Sequence, residues 1–123
     1  MTGRLGELDL AHEVARSARG TAAQLREDPL VIGEHNHDAT GDVDGDGWHG
    51  TMNYSGFTRP VWTWLNQPGH GITWLGMPME VPTLPGTALV ETMRTFAASS
   101  PWSAWTRSVN QLDSHDTARF RSV

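Results

Sequence analysis

The sequence contains no cysteine, no lysine and no long apolar run. Without cysteine the chain can form neither a disulfide framework nor a thiolate metal site, which suits a reducing compartment. No stretch approaches the ~20 apolar residues of a membrane span, and residues 1–10 lack the cationic start and apolar core of a signal peptide. The net charge of −5 opposes nucleic-acid binding, because phosphate recognition requires a basic surface. We therefore expect a cytoplasmic protein with neither a membrane nor a nucleic acid as its partner.

The 123 residues suffice for one domain, but they are only about half of a typical ~250-residue β/α barrel. An amphipathic helix is predicted from Asp9 to Leu25, because apolar residues recur at spacings of three, four and seven. Asp28-Pro29 ends this segment. The apolar run that starts at Leu30 then predicts a buried strand over 30–34 that ends in a carboxylate. A helix, a short turn and a buried strand form half of a βαβ unit.

The rest of the chain alternates between polar loops, helices and two further strands. The predicted elements are, in order, a polar loop insertion at 36–50, a short strand at 50–54, one or two apolar helical turns at 56–65, an irregular stretch at 66–86, a second amphipathic helix at 88–98 and a third strand at 108–113. The third strand leads into Ser114-His115-Asp116. The predicted fold class is therefore α/β.

Two predicted strands carry acids at their ends, Glu34 and Asp116. In a β/α barrel the carboxyl ends of the strands meet at one face, which carries the chemistry. Paired carboxylates in one cavity are the groups that glycoside hydrolysis uses: one protonates the leaving oxygen, and another handles the developing cation. Either acid alone is better explained as a loop-capping or salt-bridged surface residue. The occurrence of both after apolar strands favours a catalytic pair.

The motifs at these strand ends resemble glycoside hydrolase family 13, the α-amylase family. Val31-Ile32-Gly33-Glu34-His35 is similar to the general-acid motif at the end of the family's fifth barrel strand. Met52-Asn53-Tyr54 resembles its sixth strand, and 112–117 with Arg119 resemble its seventh-strand motif. Their order and spacing fit the subgroup of α-glucosidases, cyclodextrinases and neopullulanases. The resemblance implies that residues 1–123 are a fragment of a (β/α)8 TIM barrel, covering about strands 5 to 7 with their helices.

The resemblance also implies a role for each matching residue. Glu34 would be the general acid/base, and Asp116 would stabilise the oxocarbenium-like transition state. His115 would hydrogen-bond sugar hydroxyls, and His35 and Asn53 would be further substrate-binding residues. Arg119 is expected to support the barrel through an ion pair. The implied activity is retaining hydrolysis of α-glucosidic bonds in maltodextrin-like α-glucan oligosaccharides.

One part of the family's catalytic set has no counterpart in this sequence. The nucleophilic aspartate belongs to a Gly-x-Arg-x-Asp motif at the end of the fourth strand, and that motif does not occur here. Residues 1–4 resemble the stretch just after it. We therefore expect a chain that is inactive alone, with the remainder of the barrel as its partner. The alternative is a non-catalytic carbohydrate-binding or decayed remnant, and the genomic sequence upstream of Met1 would distinguish the two.

The polar loop suggests two kinds of metal site. One follows the D-x-D-x-D-G pattern of calcium loops, with a bare solvated turn as the alternative. Its candidate Ca²⁺ ligands are Asp42, Asp44 and Asp46. The other is a zinc or similar site, which would make the protein a metal-dependent hydrolase instead. Its candidate ligands are His35, His37, Asp38 and His49.

The six tryptophans divide between core packing and ligand stacking. At least one of Trp62 and Trp64 is expected in the core, because both lie on a helical stretch. Trp48 and Trp74 lie in glycine-rich loops, where an indole face could stack on a glucosyl ring. For any one tryptophan, packing inside the protein is the alternative.

Overall fold

Four helices and two small sheets form the fold in a computed structural model that describes residues 3–34, 41, 43, 47–68, 71–74 and 76–120. The elements are α1 (Gly3–Leu25), β1 (Ile32–Gly33), β2 (Gly50–Thr51), a π-helical segment (Tyr54–Thr58), α2 (Arg59–Leu65), β3 (Gly71–Trp74), β4 (Met77–Glu80), α3 (Gly86–Ala98) and α4 (Trp102–Arg107). Both helices and strands are present, in agreement with mixed α and β content. Among the described residues no helix is both long enough and apolar enough to cross a membrane.

Three chain segments pair side by side in the parallel sense. β1 pairs with β2, with Ile32 opposite Gly50. The third segment adds to β2 through a parallel bridge between Met52 and Val109. Two backbone bonds close that bridge: the Val109 N–H donates to Thr51 O and the Asn53 N–H donates to Val109 O, both at 2.9 Å. The carboxyl ends of all three segments therefore lie at one edge.

The strands themselves are shorter than predicted. Of the strand predicted at 30–34, only β1 is formed. Of the strand predicted at 50–54, β2 is formed, together with Met52, which makes the bridge to Val109. The strand predicted at 108–113 is wrong beyond Val109, where pairing in the described structure ends. Side chains take over as partners there, because Thr58 donates to the carbonyl of Gln111 at 2.7 Å and the indole of Trp62 donates to that of Leu112 at 2.8 Å.

An antiparallel hairpin occupies part of the stretch predicted to be irregular. β3 pairs with β4, and Gly76 adopts a positive φ of 77° in the turn between them. Within β3, Ile72 and Trp74 are buried while Thr73 is exposed. This alternation is the signature of a half-buried strand. The prediction of irregular structure at 66–86 is therefore wrong over the hairpin.

The core lies between the hairpin and the π-helical segment with α2. Its cluster is Tyr54, Trp62, Ile72 and Trp74. Trp74 meets Tyr54 and Trp62 edge to face, with ring centroids 5.0 and 5.7 Å apart, which is a preferred aromatic geometry. The guanidinium of Arg59 lies 4.5 Å above the Trp74 ring, close enough for a cation–π contact. Trp62 is fully buried and Trp64 is 47% exposed, so one of this pair is in the core as expected.

The predicted helices are present with extended bounds. α1 begins at Gly3 rather than Asp9, and α3 begins at Gly86 rather than at residue 88. The apolar face of α1 is only partly buried: Ala15 is 1% exposed, whereas Val14 is 51% and Leu25 is 83% exposed. The amphipathic spacing thus predicts the helix but not how much of its apolar face is covered.

Candidate active site at the carboxyl ends of the parallel segments

The parallel pairing brings three predicted site residues together. Glu34 directly follows β1, and His115 and Asp116 follow the segment that pairs at Val109. Each offers one ligand atom, and these atoms all lie within 4.8 Å of one another. Glu34 and Asp116, which are far apart in the sequence, thus share one small volume. This is the arrangement that parallel strands produce, since their carboxyl ends meet at one edge.

The cluster is open to solvent. Glu34 is exposed, and the side chain of His115 is 77% exposed. Asp116 is half-buried, and its Oδ1 lies 3.5 Å from His115 Nε2. At this separation the imidazole and the carboxylate can orient each other, but water screens their attraction. The three groups can therefore bind a polar ligand from the solvent side.

A short turn fixes the positions of His115 and Asp116. The Ser114 hydroxyl accepts a hydrogen bond from the Asp116 N–H at 3.2 Å, and Thr117 Oγ1 accepts one from the Ser114 N–H at 2.9 Å. The hydroxyl of Tyr54 lies 2.8 Å from that of Ser114. Because Tyr54 is 1% exposed, the turn is connected to the aromatic core. Sequence reasoning did not assign Tyr54 or Ser114 to the site, although Ser114 and Thr117 have the spacing of a hydroxyl-capped turn.

Asp113 anchors the chain on the other side of this turn. Its carboxylate accepts from the Phe120 N–H at 2.8 Å and from Arg119 Nη1 at 3.2 Å. The Phe120 hydrogen bond, together with the guanidinium of Arg119, lowers the pKa of Asp113. Arg119 thus forms an ion pair, as expected, and its described partner is a residue of the turn.

Two predicted substrate-binding residues, Asn53 and Trp48, make internal contacts in the described structure. Asn53 Oδ1 accepts from the Gly56 N–H at 3.1 Å, and its Nδ2 donates to Asn110 Oδ1 at 2.8 Å. Trp48 covers Gly33 so closely that a Cβ added there would lie 2.6–2.8 Å from three indole atoms. Trp74 is buried in the core, so the alternative of internal packing holds for it and its proposed stacking role is wrong.

His49 lies at the opposite end of the strand pair from the acids. It immediately precedes β2, and its backbone N–H donates to Val31 O at 3.1 Å. Its Nδ1 accepts from the Val31 N–H at 2.9 Å. Burial lowers the pKa of His49, and the charges of Arg19 and Arg107 lower it further. His49 is therefore a neutral backbone partner at neutral pH and does not join the cluster that includes Glu34.

The remaining predicted ligands lie outside the described residues. These are His35, His37, Asp38, Asp42, Asp44 and Asp46. Within the part of the chain that is described, the candidate metal-binding group is that of Glu34, His115 and Asp116.

A cavity of about 260 Å³ lies between α2 and β4, away from these three residues. Its lining is mainly apolar and includes Trp62, Met79 and Val81, with Arg59 and Glu80 as charged groups. None of the predicted site residues lines it, so the site rests on the strand-end cluster.

Comparison with known proteins adds no assignment: no family model matches the chain, and no curated protein matches it.

Proposed function

We propose that this chain supplies the acid/base half of a retaining α-glycosidase site that acts on maltodextrin-like oligosaccharides. The observation that carries the proposal is the convergence of Glu34, His115 and Asp116, with ligand atoms within 4.8 Å of one another. Glycoside hydrolysis requires carboxylates around one bond. The proposal also rests on the resemblance of the three motifs to family 13, which implies the α-glucosidic substrate and a place for these residues in a partial barrel.

In this proposal each group has one task. Glu34 donates a proton to the oxygen of the departing sugar. Asp116 and His115 hold hydroxyls of the sugar that is left, where their hydrogen bonds strengthen as positive charge develops on the ring. Retention also needs a nucleophile about 5–5.5 Å from the acid. The Gly-x-Arg-x-Asp motif that would carry it is not in this sequence, so the chain alone is expected to bind without turning over.

The first test measures binding and turnover on the same protein. Maltotriose added to the ¹⁵N-labelled chain should shift the amide signals of Glu34, His115 and Asp116. Glu34→Gln combined with Asp116→Asn should abolish those shifts. Glu91→Gln, on the exposed side of α3, is the matched control and should leave them unchanged. Hydrolysis of p-nitrophenyl α-glucoside without any additive would mean that the chain holds a complete catalytic set, and it would overturn the assigned roles.

Azide provides a direct chemical test of the missing nucleophile. It would form a bond to C1 from the face opposite the leaving group, while the bond from C1 to p-nitrophenolate breaks, which yields β-glucosyl azide. With maltotriose instead, the departing sugar oxygen must take a proton, and Glu34→Gln should slow that reaction by about 10²–10⁴-fold. The variant should change the reaction of the p-nitrophenyl substrate far less, because p-nitrophenolate leaves without a proton. Equal effects on both substrates would refute Glu34 as the acid.

A second candidate function is a metal-dependent hydrolase, and the same cluster favours it. One imidazole and two carboxylates are a ligand set that divalent metals accept. This version uses Glu34, His115 and Asp116 and leaves out His49, which lies at the other end of the strands. Calorimetric titration with Zn²⁺ or Mn²⁺ decides it: stoichiometric binding that is lost in Glu34→Gln supports a metal site, and no heat removes it.

Three further expectations stay predictions. A calcium site at Asp42, Asp44 and Asp46 would give heat on titration with Ca²⁺, and no heat would remove it. The resemblance predicts that the remainder of a barrel is the partner of this chain. A cytoplasmic location is predicted because residues 1–10 do not resemble a signal peptide.

A further inference from the structure

The start of β1 has an irregular hydrogen-bond partner. In a regular parallel ladder a strand residue donates to one residue of its neighbour and accepts from the residue two positions later. Ile32 lies opposite Gly50, so the regular acceptor for the Val31 N–H, one residue earlier, would be the carbonyl of Trp48. The Val31 N–H instead donates to His49 Nδ1 at 2.9 Å, while Val31 O accepts from the His49 N–H at 3.1 Å. The preceding carbonyl, that of Gly47, accepts from Arg19 Nη1 of α1 at 2.9 Å.

This substitution makes a backbone bond depend on the protonation of a side chain. An imidazole accepts through Nδ1 only when it is neutral and carries its proton on Nε2. Once Nδ1 is protonated it becomes a donor, and two N–H groups then face each other at Val31. No other side chain type changes its charge between pH 5 and 8 without a perturbed pKa.

The charges around His49 favour the neutral form. Arg19 faces it from α1 and Arg107 from the end of α4, while Asp28, in the turn before β1, acts in the opposite direction. Burial and the two arginines together lower the pKa of His49 below that of an exposed histidine. The unfolded chain therefore takes up a proton first, and this bond loses its stabilising effect as the pH falls below about 6.5.

We propose that His49 is a pH-sensitive positioning residue: its neutral imidazole completes the ladder at the start of β1, and protonation releases Val31 and with it the strand that carries Glu34. Val31 lies three residues before Glu34 in the same extended segment, and Gly33 O accepts the next bond, from the Met52 N–H at 3.3 Å. Loss of the bond from the Val31 N–H weakens the attachment of this segment to β2 at its start. Acidification therefore moves Glu34 relative to His115 and Asp116. As a statement about regulation of the site, the inference rests on the proposed function.

The test compares three forms of the full chain: wild type, His49→Asn and His49→Ala. The amide oxygen of asparagine can occupy the place of Nδ1 and accept from Val31, but it does not titrate. Hydrogen exchange of the Val31 amide, expressed as a protection factor, and the amide shift of Glu34 are recorded from pH 8 to pH 4.5. Neither readout requires a saccharide.

In the wild type, the Val31 protection factor should fall roughly five- to tenfold on acidification, the value of one net hydrogen bond. The Glu34 amide should shift along the His49 titration curve. His49→Asn should keep the protected value and show only the titration of other groups, and His49→Ala should give the low value at every pH. Should the alanine variant fail to fold, the wild type and the asparagine variant still decide the question.

The same profile for Val31 and Glu34 in wild type and His49→Asn would overturn the proposal. Maltotriose titration at pH 7.5 and at pH 5 separates this inference from the proposed function. Absence of saccharide binding in every form, with the Val31 and Glu34 profiles as expected, would refute the glycosidase proposal and confirm the role of His49. Binding whose pH dependence is unchanged in His49→Asn would refute the coupling to the site.

Discussion

Substitution of Gly33 by alanine tests how tightly the segment before β2 holds the strand of Glu34. A Cβ at Gly33 would lie 2.6 Å from Trp48 Cδ1 and within 2.8 Å of two further ring atoms. Ordinary contacts begin near 3.4 Å, so the indole must withdraw by about 0.8 Å. The atoms belong to the fused ring rather than to the far end of a flexible chain. Such overpacking costs typically ~1–3 kcal/mol, of which the reduced freedom of the unfolded chain offsets roughly 0.4–1 kcal/mol.

The measurement is a double-mutant cycle of Gly33→Ala and Trp48→Ala, in which urea unfolding gives the free energy of unfolding of each variant. In the wild-type background Gly33→Ala should lower the free energy of unfolding by about 1–2 kcal/mol. In the Trp48→Ala background it should be neutral or slightly stabilising, because the space above residue 33 is then empty. Gly20→Ala on α1 is the matched control: nothing lies within 4 Å of the added methyl, and it should stabilise the helix by roughly 0.5–1 kcal/mol. Equal costs of Gly33→Ala in both backgrounds, within ~0.5 kcal/mol, would refute the contact.

Three further predictions concern the core and the turn at Asp116. Trp62→Ala should lower the free energy of unfolding in urea by about 3–5 kcal/mol, because the side chain is fully buried and donates to a backbone carbonyl. Trp64→Ala on the same helix is the control and should cost far less, since Trp64 is half exposed. Similar values for the two variants would contradict the assigned core. Tyr54→Phe should cost ~1 kcal/mol and should shift the amide signal of Asp116, because it removes the hydroxyl that meets the Ser114 turn; an unchanged signal would show that the turn is set without it. The lowered pKa of Asp113 means that the unfolded chain binds a proton first on acidification. Wild type should therefore lose stability as the pH falls below about 4, and Asp113→Asn should make that loss smaller in urea midpoints measured from pH 5 to pH 2.5.

Periodicity predicted the two long helices, and length and composition predicted little else of the fold. α1 and α3 follow the spacing of their apolar residues, because a helix displays one face every 3.6 residues. The hairpin escaped prediction because Gly71, Gly76 and Pro78 conceal the short alternation at Ile72 and Trp74. Pro78 is tolerated within β4, since in a two-stranded sheet both strands are edges. The extent of burial could not be predicted from periodicity either. Periodicity shows which residues share a helix face but not what covers that face, and Leu25 on the apolar face of α1 is exposed.

The site was predictable to the level of which residues meet. Glu34 and Asp116 were paired because parallel strands bring their carboxyl ends to one edge, and the cluster has this arrangement. The contacts that orient them were not predictable. The bonds from Val31 to His49 and from Tyr54 to Ser114 join positions that are far apart in the sequence. They depend on which backbone groups the ladder leaves without a regular partner, and no local pattern encodes that.

The short segment from Gly47 to His49 therefore matters more than its place in a polar loop suggested. Through three different contacts it attaches to α1 and β1: a carbonyl to Arg19, an indole over Gly33 and an imidazole to Val31. β1 has only two paired residues, too few to fix a strand end by backbone bonds alone. The orientation of Glu34 is thus expected to depend on side chains of this segment, in the way that a catalytic group depends on the residues that support it. In this arrangement the segment acts on Glu34 through the strand rather than by touching substrate. This role differs from the stacking on sugar that the sequence suggested for Trp48 and from the metal binding that it suggested for His49.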